Sequence, residues 1–145
     1  MEQKLPRIAW ALGLSGLIPQ ILAVAITLHP PHIAFGQFAA FLYAALILSF
    51  LGGLWWGVAA VHQSAPRWLY VAGVAPSLVA FAAGLLWIMR SGSPDQALTI
   101  VAGGLLLAPI VDLELNRRKL VPKGWLAMRT MLSVGLGILT LIAAR

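Results

Sequence analysis

Five apolar runs joined by four short links leave this chain few ways to fold. Each run is close to the ~20 residues needed to cross the hydrocarbon core of a bilayer. They lie at about 8–28, 34–60, 68–89, 96–116 and 125–143. The links His29-Pro30-Pro31-His32, His62 to Pro66, Arg90 to Asp95 and Asn116 to Gly124 carry the prolines and glycines of turns. Links this short make successive helices antiparallel neighbours. The expected fold is therefore all-α: a single domain, residues 1–145, built as a compact bundle of five transmembrane helices. Composition agrees, with 61% hydrophobic and 10% charged residues, where a soluble domain carries about a quarter charged. The first run lacks a small-x-small cleavage site and reads as an ordinary span.

A net charge of +6 would suit nucleic acid, but the positions of the charges suit a membrane better. The N-terminus and the second and fourth links carry Lys4, Arg7, Arg67, Arg117, Arg118, Lys119 and Lys123, whereas the other side carries Arg90 and Arg145. Seven against two predicts a cytoplasmic N-terminus and an outside C-terminus by the positive-inside rule. The lipid bilayer is the expected partner, and nucleic acid is not.

Within the apolar runs, small and polar residues mark candidate inward faces. In the second run, Ala45, Ser49, Gly52, Gly53, Trp56, Gly57 and Ala60 share a face at 100° per residue. Gly52, Gly53 and Gly57 are expected to admit a neighbouring helix, with Trp56 turned inward and Trp55 toward lipid or another surface. Gln20, Ser49, Ser77 and Ser133 fall at similar mid-bilayer depth. With Trp56 and Trp87 as aromatic walls, these four define a candidate ligand pocket. The competing reading is packing, since helical serines commonly bond their own i−4 carbonyls. Pro19, Pro76 and Pro109 interrupt three of the runs and permit hinges.

Among the charges within the runs, Asp112 and Glu114 lie about 160° apart on one helix, so only one can face Arg129, and Asp112 is the expected partner. Asp112 lies near the end of the fourth run and Arg129 one turn into the fifth, so a short antiparallel link brings them to one depth. A lone charge there costs up to roughly 3 kcal/mol on insertion scales, and pairing reduces that cost. A structural clamp is the favoured role, ahead of catalysis or proton relay. Cysteine is absent, which excludes disulfide and thiol chemistry. His29 and His32 fall on one side and His62 on the other, so no metal site and no cofactor is expected.

Two stretches carry a family resemblance. Tyr43-Ala44-Ala45-Leu46-Ile47-Leu48-Ser49-Phe50-Leu51-Gly52-Gly53-Leu54-Trp55-Trp56-Gly57 resembles the Tyr-Gly-Ala-x-x-Leu-Ser-Phe-Leu-Gly-Gly-x-x-Trp-Gly signature of the transmembrane-protein-69-like family. Asp112 followed by Pro122-Lys123-Gly124-Trp125-Leu126-Ala127-Met128-Arg129 is similar to that family's Asp and Pro-x-Trp-Tyr-x-x-Leu-Arg. Here one extra residue separates Pro122 from Trp125, and Leu126 and Met128 replace Tyr and Leu. The resemblance covers the whole length. It implies a bacterial inner-membrane protein with mitochondrial relatives and a function not yet characterised, so it supplies no catalytic residue. In helix number and length the chain is also similar to the tryptophan-rich sensory protein (translocator) family, which binds porphyrin or sterol-like molecules. That family's Trp-Pro-rich segments after the first helix are missing here.

The residues lead to a non-enzymatic membrane protein that holds an apolar small molecule or lipid within its bundle. The alternatives are an assembly subunit docking on another membrane protein or a second copy, and a small transporter.

Overall fold

The structure is a computed structural model and describes residues 4–145. Its elements are α1 (Arg7–Ser15), α2 (Ile18–Thr27), a 3₁₀ turn (Pro30–His32), α3 (Ile33–Val61), α4 (Trp68–Ile88), α5 (Pro94–Arg117) and α6 (Trp125–Ala143). They make five helical spans long and apolar enough to cross a membrane, α1 and α2 together forming the first.

The first span is divided because Pro19 has no N–H to offer the Ser15 carbonyl and its ring crowds that turn. The chain tightens just before it: Gly16 N–H donates to Gly13 O at 3.0 Å and Leu17 N–H to Leu14 O at 3.1 Å, both i→i−3. The Gly16 carbonyl accepts instead from the Tyr43 hydroxyl at 2.6 Å. A bent membrane helix needs such a substitute partner, since lipid offers none. α5, by contrast, starts on a complete capping box. Ser93 Oγ accepts from Gln96 N–H at 3.2 Å, and Gln96 Oε1 accepts from Ser93 N–H at 3.1 Å.

α3 is the centre of the bundle and packs against α2, α4, α5 and α6. Its buried face runs through Ala40, Ala44, Leu48, Leu51, Trp55 and Ala59. This corrects the expected rotation of the helix: Trp55 is 3% exposed and Trp56 47%. Both flanks of this helix are apolar, so hydrophobicity cannot separate inside from outside. Partners decide it. The Trp55 N–H finds a buried acceptor, while Trp56 lies edge-on to Tyr70 at 5.6 Å.

The glycines divide in the same way. Gly52 stands at the crossing of α3 and α4, where an added Cβ would run into the Gly73 carbonyl oxygen. At Gly73, a Cβ would stand 2.8 Å from the Trp56 Cβ and 2.9 Å from Gly52 O. Gly53 and Gly57 are not packing glycines, because nothing lies within 4 Å of a Cβ built on either. At the end of the bundle carrying the basic links, Leu5 N–H donates to Lys123 O at 3.2 Å, in an isolated bridge between Lys4 and Lys123. The N-terminal segment is thereby joined to the α5–α6 link.

Gly52→Ala and Gly73→Ala are each expected to cost ~1–3 kcal/mol by overpacking, read as a lower Tm in detergent. Gly53→Ala is expected to stay within about 0.5 kcal/mol of the parent.

Candidate functional site

The polar interior begins with Asp112. Pro109 precedes it by one turn of α5, and the α5–α6 link reverses the chain through Lys119 and Gly124, both at positive φ. This brings the first turn of α6 alongside. Arg129 Nε donates to Asp112 Oδ2 at 3.2 Å; the two residues are 2% and 0% exposed. Oδ1 accepts from two indoles, Trp55 Nε1 on α3 at 2.9 Å and Trp125 Nε1 on α6 at 3.2 Å. The Arg129 guanidinium carbon also sits over the Trp125 ring, 5.5 Å from its centroid, at a distance where a cation is attracted to the ring face. Glu114, on another side of α5, pairs instead with Arg118 at 2.7 Å near the surface. With both carboxylate oxygens engaged by donors from two other helices, Asp112 is arranged as a tie between α3, α5 and α6.

Sequence reasoning turned Trp55 away from the bundle and gave Trp125 no role in the ion pair. The signal for both was their indole N–H, which needs an acceptor when buried.

A second polar node lies deeper. Gln20 Nε2 donates to Thr140 Oγ1 at 2.9 Å and to the Ala40 carbonyl at 3.3 Å, tying α2 to α6 and α3. A third node, at the end opposite the basic links, has Gln37 Nε2 between the Ala143 carbonyl at 3.3 Å and Asp95 Oδ1 at 3.4 Å.

The six residues expected to share one pocket are separated. Gln20 and Ser133 are buried in the core, and Trp56 is turned outward. Ser49 and Ser77 donate to their own helices' carbonyls, Ala45 O and Val74 O, each at 2.8 Å. These two serines line one open groove between α3 and α4, of about 280 Å³, together with Phe41, Ala45, Ala80 and Gly84. Trp87 lines a neighbouring hollow of about 460 Å³ with Phe38, Phe41, Gly84 and Arg90. The two share Phe41, Gly84 and Ile88 and so form one trough. Its aromatic wall is fixed by edge-to-face contacts of Trp87 with Phe38 at 6.0 Å and Phe41 at 5.4 Å. Among the described residues, no three His, Cys, Asp or Glu side chains gather as a metal site would require.

The model of a family described as a protein of unknown function (DUF3429) matches residues 5–145. The chain belongs to this family. Transmembrane protein 69 of Xenopus tropicalis is 33% identical over 136 residues, covering 89% of this chain and 50% of the relative. The chain thus spans about half the length of that curated relative. No solved structure matches. The tie at Asp112 and the trough beside Trp87 are features of this chain, and the family it belongs to is described as one of unknown function.

Removing one partner of a buried ion pair costs about 3–5 kcal/mol. Asp112→Asn and Arg129→Met are each expected to lower Tm sharply in detergent, and the double variant to recover part of the loss. Trp55→Phe, which deletes a donor to the carboxylate, is expected to lower Tm more than Trp56→Phe. Additive losses in the first pair, or equal losses in the second, would refute the tie.

Proposed function

We propose that this protein is a non-enzymatic multi-pass membrane protein that holds a lipid or another apolar, chain-like molecule in the trough between α3 and α4. The expected bundle interior thus gives way to its flank. The observation that carries this reading is the continuity of the trough. It runs from the Ser49 and Ser77 hydroxyls, through an aromatic wall, to the Arg90 side chain at its mouth. An amphiphile fits that order, with apolar chain along Phe41 and Gly84, hydroxyls offering an acceptor at depth, and a cation where a headgroup would lie. Arg90 occupies a left-handed position (φ 56°) just past the end of α4, which carries it out of the helix at that rim.

In this reading the membrane is the inner membrane of a bacterium and the N-terminus is cytoplasmic. The support is the concentration of Lys and Arg at the end carrying Lys4, Arg67, Arg117 to Lys119 and Lys123.

The outward stripe of Ser49, Gly53 and Gly57 supports a second reading, in which another membrane helix docks there. Gly53 and Gly57 have no neighbour of their own, and small residues allow close helix approach.

Reconstitution with a photoreactive fatty acid tests the first reading. Crosslinks are expected to concentrate on Phe41, Ser77 and Gly84 and to fall in Gly84→Leu, whose new side chain fills the trough. Equal labelling of the outer faces of α1 and α2 would overturn it. For the second reading, native mass spectrometry should find an assembly that Gly53→Leu dissociates; a monomer in both cases rejects it.

A further inference from the structure

Three buried polar atoms have no hydrogen-bond partner among the described residues: Arg129 Nη2, Ser133 Oγ and Gln20 Oε1. The three residues are 2%, 1% and 0% exposed. A buried guanidinium edge or amide oxygen left bare is costly, and native proteins satisfy such groups with protein atoms or ordered water.

The three are related by the geometry of α6. Arg129, Ser133 and Thr140 follow at i, i+4 and i+11, which keeps them within about 40° of one another at 100° per residue. Arg129 and Ser133 stand one turn apart, about 6 Å along the axis. Thr140 is the residue that holds Gln20. One inner face of α6 therefore carries the Asp112–Arg129 tie at one end and the Gln20 node nearer the other.

Two details fix what these atoms need. Six other helical hydroxyls, on Ser15, Thr27, Ser49, Ser77, Thr99 and Thr140, donate to a carbonyl three or four residues back. Ser133 does not, so its hydroxyl retains both donor and acceptor capacity in the core. The Gln20 amide cannot be reversed, because both of its neighbours accept. Ala40 offers a carbonyl, and the Thr140 hydroxyl has already given its proton to Leu136 O at 2.7 Å. The amide oxygen must therefore face away from both and requires a donor of its own.

We infer that the inner face of α6 binds internal water, with one molecule bridging Arg129 Nη2 and Ser133 Oγ and another donating to Gln20 Oε1. Water is the ligand class that matches. It accepts from a guanidinium, both donates to and accepts from a hydroxyl, and donates to an amide oxygen. An anion would suit Arg129 and fail at Gln20. The bridging molecule completes the solvation of a guanidinium that Asp112 engages only through Nε.

The sign of one substitution separates a wet site from a dry one. If the site were dry, Ser133→Ala would delete an unsatisfied hydroxyl and leave Tm equal or higher. With water present, the same change strips a partner from the water and from Arg129, and Tm falls by several degrees. Ser133→Thr, which keeps the hydroxyl, is expected to retain more of the parent Tm than Ser133→Ala. Density for water between Arg129 and Ser133 and beside Gln20 is expected in an experimental structure of the full chain at a resolution that shows ordered solvent. Absence of that density, or a Tm for Ser133→Ala at or above the parent's, overturns the inference.

Discussion

One buried carboxylate ties three helices of this bundle together. In lipid there is little hydrophobic gain from bringing apolar helices together, so specificity rests on close packing and on polar groups with nowhere else to go. Asp112 supplies that specificity. It gathers an indole from α3 and an indole and a guanidinium from α6, and each donor would be stranded if its helix rotated or slid. The arrangement sets the rotation of the central helix, the approach of the last two spans and the depth at which they meet. Charge in a bilayer is expensive, and here the expense falls on any arrangement other than the native one.

The sequence made some of this legible and hid the rest, for identifiable reasons. Five spans are readable because length and apolarity are properties of the chain itself. Asp112 and Arg129 stand together for a reason also visible in the sequence: two helices joined by a short reversal bring their near ends level. The rotation of α3 is different. Its small-residue face, with Ser49, Gly52, Gly53 and Gly57, looks like an internal seam by pattern, yet of its three glycines only Gly52 meets another backbone, at Gly73. Neighbouring glycines are equivalent to a periodicity argument and differ only in which one meets another backbone. Trp55 and Trp56 present the same ambiguity, resolved by a hydrogen bond across 57 residues of sequence. The candidate pocket failed for a related reason. Equal depth along separate helices says nothing about direction, and four polar residues at one level point into three different surroundings.

The divided first span shows how the same accounting works on the backbone. Pro19 breaks the ladder, and the bend would leave the Gly16 carbonyl in hydrocarbon. The phenol of Tyr43 reaches it from α3. Tyr43 also opens the stretch that resembles the family signature, which gives that position a physical task. It supplies a donor to one of the carbonyls at the bend, the Gly16 oxygen, from a neighbouring helix.

The crossing at Gly52 and Gly73 has a geometric consequence for the trough. α3 is 29 residues long, about 43 Å at 1.5 Å per residue, well beyond the ~30 Å of a bilayer core, so it inclines or projects. The closest approach of α3 and α4 is made by bare backbone at Gly52 and Gly73. About three and four turns further along, Phe41 and Trp87 meet edge-to-face between the same two helices, and Phe41 lies 3.4 Å from where a Gly84 Cβ would stand. Backbone thus sets the spacing of the pair at one level and aromatic rings set it at the other.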